Sequence, residues 1–128
     1  MRICVSASSG DLDAAVDSRF GRCPYFIIVD SETMEFDAIA NDSTNAAHGA
    51  GIQAAQKVAN MGVEVIITGN VGPNAFNVLS ATGIKIVTGA SGIIKEAIEK
   101  YKSGQLKEVG SPTVGGHFGT GKGLGRRR

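Results

Sequence analysis

A cysteine flanked by two arginines is the first feature of this sequence with the makings of chemistry. Cys23 lies in Asp17-Ser18-Arg19-Phe20-Gly21-Arg22-Cys23-Pro24. Positive charge near a thiol lowers its pKa and favours the thiolate, the form that binds metal. Two readings stand: a thiolate ligand in a cationic mouth, or a half-buried cysteine beside a proline turn. Cys4 falls inside an apolar run and reads as core. His48 is either a metal ligand or a polar loop residue, and His117 is a ligand only if it swings in from the C-terminal stretch. Two Cys and two His with no C-x-x-C pair do not compose a structural zinc site. A cluster held by such a set would be incompletely ligated by protein and open to solvent.

Glycine turns that open helices offer a second chemistry, the binding of anions. Gly49-Ala50-Gly51-Ile52-Gln53-Ala54 fits G-x-G-x-x-A at a helix start. A dinucleotide site would also want a strand directly before it and an acid at the end of the next strand. Here the preceding strand pattern ends near Ile39 and the next one ends in Thr68. Gly69-Asn70-Val71-Gly72 leads into Pro73, a good first helical residue, with Asn74 after it. Helix N-termini favour anions, although each turn is also what any strand-to-helix joint requires. Arg19 and Arg22 either add positive charge there or form ordinary surface charge and a salt bridge to Asp17. Arg19, Arg22, Gly49, Gly51, Gly69, Asn70, Gly72 and Asn74 are therefore the candidate cofactor-binding set.

Other chemistries fail on spacing. Gly116-His117-Phe118-Gly119-Thr120-Gly121-Lys122-Gly123 nearly spells a P-loop, but Gly123 stands where Ser or Thr must hold magnesium. Two-metal nucleases need several carboxylates converging on one point. The first strand and first helix carry none, and Glu64 alone lies near the fourth strand. No Ser-His-Asp or Cys-His-Asp arrangement is suggested.

Residue pattern assigns the secondary structure around these positions. Arg2 to Ala7, Tyr25 to Val29 and Met34 to Ile39 form an antiparallel meander, turning at Asp30-Ser31-Glu32. A helix from about Ala50 to Met61 stops at Gly62. Val63 to Thr68 is almost continuously β-branched, as a strand covered on both faces should be. A helix from Pro73 to Gly83, a strand over Ile84 to Val87, and a helix capped by Ser91 and ending before Gly104 complete the order βββαβαβα. Short β-α-β alternation demands right-handed parallel crossovers. The expected class is α/β: one mixed sheet with helices on both faces and a ribonuclease-H-like topology.

The chain has 128 residues, enough for one domain, with a net charge of +1. Residues 110–128 are glycine-rich and carry Lys122, Arg126, Arg127 and Arg128 with no acid, which leaves residues 1–109 at −3. That stretch has too few apolar residues to offset the cost of ordering it. It reads as a flexible basic tail, with the folded domain ending near Val109. Two cysteines exclude a disulfide framework. No apolar run reaches a membrane span and no signal layout opens the chain, so a cytoplasmic protein is expected.

Three segments in order resemble a known family: Asp17 to Asp30, His48 to Ala55, and Gly69 to Phe76 with Leu79 and Gly83-Ile84. They look like the dinitrogenase iron–molybdenum cofactor biosynthesis family, the NifX and NafY type of domain that also forms the C-terminal part of many NifB proteins. The likeness spans roughly residues 1 to 105. It implies a ribonuclease-H-like fold and a small non-catalytic protein that binds or carries an iron–sulfur or iron–molybdenum cluster or its precursor. Partners would be metallocluster assembly or acceptor proteins, with no membrane or specific nucleic acid, and the chain would be a monomer or homodimer. The family's loop reads His-Phe-Gly where this chain has Arg19-Phe20-Gly21, so Cys23 and His48 stand as substitute ligands. A cofactor-free interaction or regulatory module of the same fold is the alternative.

Overall fold

A computed structural model describes residues 1–42 and 49–113. Strands form where β-branched and aromatic residues cluster: β1 (Arg2–Ala7), β2 (Tyr25–Asp30), β3 (Phe36–Ala40), β4 (Val65–Ile67) and β5 (Lys85–Val87). They make one five-stranded sheet in the order β3-β2-β1-β4-β5. The β1–β2 and β2–β3 pairs are antiparallel, while β1–β4 and β4–β5 are parallel. Three helices complete the chain: α1 (Ala50–Ala59), α2 (Pro73–Ala81) and α3 (Ile94–Lys102). The α/β class and the element order agree with the sequence expectation.

The strand pleat divides the core in two. Cys4, Phe26, Ile28, Ile66 and Ile86 face α1 and α2, meeting Ala54, Ala55, Val58, Ala75 and Leu79. Ile3, Val5, Ile27, Val29, Val65 and Ile67 face the other way and meet Ile94, Ala97 and Ile98 of α3. Burying one such aliphatic side chain contributes about 1.5–3 kcal/mol, so β1 and β4, buried on both faces, anchor the sheet.

Several boundaries differ from expectation for physical reasons. Ser91 does not cap α3; the N-cap is Ile93, with no side-chain hydrogen bond. The free N–H groups of Ile94 and Lys95 donate instead to the carbonyls of Ala14 (2.9 Å) and Leu12 (3.1 Å). A distant loop supplies the acceptors that a capping side chain would otherwise provide. Strand β3 begins at Phe36 rather than Met34, because Met34 takes a positive φ of 63° in the turn. The Asp30 carboxylate accepts the N–H groups of Glu32 (2.8 Å) and Thr33 (3.3 Å) there, and these bonds pull its pKa below the usual carboxylate range.

The chain's contacts continue past Val109. Val109 donates its N–H to Ile86 (2.8 Å), and Thr113 donates its N–H to Val71 (2.9 Å). His48, His117 and residues 114–128 of the expected tail lie outside the described residues. No helix among the described residues is long and apolar enough to cross a membrane.

Candidate functional site

Strands β1 and β4 lie side by side and parallel, and the chain leaves their C-terminal ends in opposite directions: toward β2 from one, through α2 to β5 from the other. Ligands of open α/β sheets bind outside such strand ends. Two hydroxyls tie the ends together. Ser6 and Thr68 are both fully buried, with their oxygens 2.7 Å apart. Ser6 Oγ donates to the Asp17 carbonyl at 2.7 Å, which leaves Thr68 as donor to Ser6. The Asp17 N–H returns a bond to the Ser6 carbonyl at 2.9 Å. Residues 17–23 are thereby fixed to the sheet at their start.

A groove of about 440 Å³ opens beside this joint, within the 300–1,000 Å³ range of small-ligand sites. Three walls enclose it: residues 18–22, residues 49–52 at the start of α1, and residues 70 and 72–75 at the start of α2. Of the sequence-derived set, Arg19, Arg22, Gly49, Gly51, Asn70, Gly72 and Asn74 all line it. Gly69 does not. It is buried beneath the wall, where a β-carbon would meet the Ser18 Cα at 2.6 Å, so its role is to let two loops touch.

Backbone adds to the charge that Arg19 and Arg22 bring to the groove. Helix α1 starts from Gly49, whose φ of 74° suits glycine. Helix α2 starts from Gly72 with Pro73 in its first turn. Neither helix has a side-chain cap or an acidic residue in its first turn. Two helix N-termini, with no side-chain cap among the described residues and with positive dipole ends, therefore face one space. None of the described residues lining it is acidic.

Arg19 is held at the rim by Asp17, whose carboxylate accepts the Arg19 backbone N–H (2.9 Å), Nε (3.2 Å) and Nη2 (3.3 Å). That hydrogen-bonded carboxylate raises the guanidinium pKa further. The Arg19 side chain remains 62% exposed. Asp17 sets its direction and offsets part of its charge.

Of its two readings, the structure gives Cys23 the buried one. Its side chain turns inward, fully buried, among Phe20, Phe26 and the α1 and α2 residues. Sγ donates to the Phe20 carbonyl at 3.2 Å. Burial pushes its pKa up to about 12 rather than down, and Asp17 adds to the rise. Proximity to Arg19 and Arg22 in sequence does not bring a thiolate to the groove. Cys4 is core, as expected, and burial raises its pKa well above the ordinary thiol value. Among the described residues no three of His, Cys, Asp and Glu gather as a metal site.

Sequence reasoning missed Asn41. Only 5% exposed, it donates through Nδ2 to the carbonyls of Cys23 (2.8 Å) and Gly21 (3.1 Å), pinning the arginine loop from beneath. Its place just past the end of β3 carried no motif. Gly21 was missed as well: a β-carbon there would strike the Gly51 backbone. Its position between two arginines was the available signal.

Residues 1–104 match the dinitrogenase iron-molybdenum cofactor family. An uncharacterised protein of Methanocaldococcus jannaschii is 38% identical over 92 residues, 70% of this chain and 78% of the relative. The apo form of the orange protein from Desulfovibrio gigas is 41% identical, with a TM-score of 0.85 over 88% of this chain and 96% of that one. A Thermotoga protein with a NifB-type assignment is 36% identical, with a TM-score of 0.77 over 88% and 97%. On these grounds the chain belongs to the dinitrogenase iron-molybdenum cofactor family.

Proposed function

We propose that the protein is a non-catalytic accessory protein that carries an anionic iron–sulfur or iron–molybdenum cluster, or its precursor, in the groove between the two helix N-termini. The observation that carries this reading is the pair of uncapped, acid-free helix starts facing one space beside Arg19 and Arg22. Such a surface suits a compact anion. Family membership supports a role connected with the iron-molybdenum cofactor. With the Cys23 thiol turned inward, the described residues hold the cargo by charge and N–H groups, and its sulfide ligands travel with it. His48, which precedes Gly49 in the chain, is the candidate for one added coordinate bond. Weak protein ligation suits a carrier, because release needs no strong bond broken. We also read the strand order as ribonuclease-H-like, the compartment as the cytoplasm, and the partners as cluster assembly or acceptor proteins.

The test is anaerobic mixing with a preformed iron–sulfur cluster capped by small thiolates, followed by gel filtration and measurement of iron and visible absorption. Wild-type protein should elute coloured. The Arg19→Gln/Arg22→Gln variant should elute with less iron, and Cys23→Ala should match wild type. A colourless wild-type fraction would overturn the carrier reading. It would favour the cofactor-free interaction module, for which β3 is the relevant surface. This edge strand is exposed along most of its length, with Phe36 39% accessible, whereas Glu108 and Val109 cover the β5 edge.

A further inference from the structure

One carboxylate stands directly behind the groove. Asp17 does not line it, and its side chain is only 11% exposed. Every hydrogen bond that this carboxylate accepts among the described residues comes from Arg19. The backbone N–H (2.9 Å) and Nε (3.2 Å) reach Oδ1, and Nη2 (3.3 Å) reaches Oδ2. These bonds take up one side of a planar fork that has five N–H donors. Nη1 has no hydrogen-bond partner among the described residues. The open end of the fork is therefore left for a guest in the groove that Arg19 lines.

The backbone fixes both partners of this pair. Asp17 exchanges two bonds with Ser6, which Thr68 holds in turn. Arg19 pairs with Asn70 as a parallel bridge, and the Phe20 N–H bonds the Asn70 carbonyl at 3.3 Å. The carboxylate cannot withdraw when an anion arrives without breaking these bonds. Coulomb energy falls only as the inverse of distance. A guest at the open fork is separated from Asp17 by no more than the guanidinium. The carboxylate thus cancels roughly half of the attraction that Arg19 supplies.

We propose that Asp17 sets the release of the guest: it aims the open fork of Arg19 and, as a fixed negative charge behind that fork, keeps the grip weak enough for the anion to be handed on. The proposal rests on the carrier reading above. Asp17 touches no guest and acts from behind Arg19, so it is a positioning residue. Its two effects oppose each other, aim strengthening binding and charge weakening it. Two substitutions separate them. Asp17→Asn keeps the Oδ1 acceptor, which takes two of the three bonds, and removes the charge. Asp17→Ala removes both. Neither disturbs the bonds to Ser6, which are made by the Asp17 backbone.

Affinity and dissociation rate of the thiolate-capped iron–sulfur cluster are measured anaerobically for wild type, Asp17→Asn and Asp17→Ala, with urea melts to establish that each is folded. Asp17→Asn should bind about three- to fivefold more tightly at 0.1 M salt, mostly through slower dissociation. The gain should shrink to about twofold or less at 1 M, where the Debye length falls to about 3 Å. Asp17→Ala should bind more weakly than Asp17→Asn, because the fork is no longer aimed. A residue that only braced the loop would behave oppositely: its loss would weaken binding, and salt would not alter the difference. Binding by Asp17→Asn equal to or weaker than wild type, a gain that persists at 1 M, or equal affinity of the two variants would overturn the proposal while leaving the carrier reading in place. Absence of cluster binding by wild type would overturn both.

Discussion

A β-carbon built on Gly21 lies 2.8 Å from both the Cα and the backbone nitrogen of Gly51. The arginine loop and the first turn of α1 therefore touch backbone to backbone, with no flexible side chain able to give way. Gly21→Ala must push the two walls of the groove apart. We expect a loss of about 1–3 kcal/mol in stability together with weaker anion binding. Gly51→Ala is the control. Its β-carbon would meet only the Ala75 Cβ, at 3.4 Å, and alanine is the better helix former by roughly 0.5–1 kcal/mol. Urea melts of the two variants should move in opposite directions, and a destabilised Gly51→Ala or unchanged Gly21→Ala would refute this packing.

Asn41 holds the same loop from below. Its amide serves the carbonyls of Gly21 and Cys23. Asn41→Ala leaves buried acceptors unpaired, at a cost of about 1–3 kcal/mol. Because the loop carries Arg19 and Arg22, the variant should also bind the cluster less tightly under conditions where it is fully folded. Chemical denaturation beside a binding titration checks both halves. Lost stability with unchanged affinity would show that the loop keeps its shape without this clamp.

The buried thiols give a pH dependence of definite sign. The Cys23 pKa is about 12 in the folded chain against an ordinary value of 9.0, and that of Cys4 is raised also. Below pH 9 folded and unfolded chains both hold these protons, so the thiols make no difference. Between pH 9 and 12 the unfolded chain releases the Cys23 proton and the folded chain retains it. Stability then falls as pH rises, by up to about 1.4 kcal/mol per pH unit for each thiol. Melts from pH 7 to 11 should show a shallower fall for Cys23→Ala than for wild type. An aromatic disulfide reagent at pH 8 should react slowly with the native chain and with two thiols per chain in denaturant. Rapid reaction of Cys23 in the native chain would contradict its burial.

Much of this site was legible because its walls are turns, and turns have local chemistry. Gly49 with its positive φ, and Gly72 before Pro73, mark helix starts through their own backbone requirements. The β-branched runs place those starts near the ends of β1 and β4. The direction in which Cys23 points was not legible. Charge adjacent in sequence says nothing about a side chain's burial, and the inward turn depends on Phe20, Phe26 and Asn41 arriving from elsewhere. The cap on α3 from Leu12 and Ala14, and the hold of Thr113 on Val71, are likewise contacts between distant segments. Local pattern alone assigns the first to Ser91 and carries no signal for the second.

Asn74 separates the demands of stability from those of binding. It is exposed in the first turn of α2, on the groove wall, and that turn carries no acid. An aspartate there would interact favourably with the helix dipole, contributing about 0.3–1 kcal/mol. The same charge would repel an anionic guest. Asn74→Asp should therefore raise the melting temperature slightly at pH 7 and lose that gain as the pH falls through the carboxylate range, while weakening cluster binding severalfold. A surface that only had to fold would accept the acid, and a surface that must receive an anion is better with asparagine. Undiminished binding by Asn74→Asp would mean that the anion does not sit at the N-terminus of α2, and the groove would have to be reassigned to its Arg19–Gly49 side.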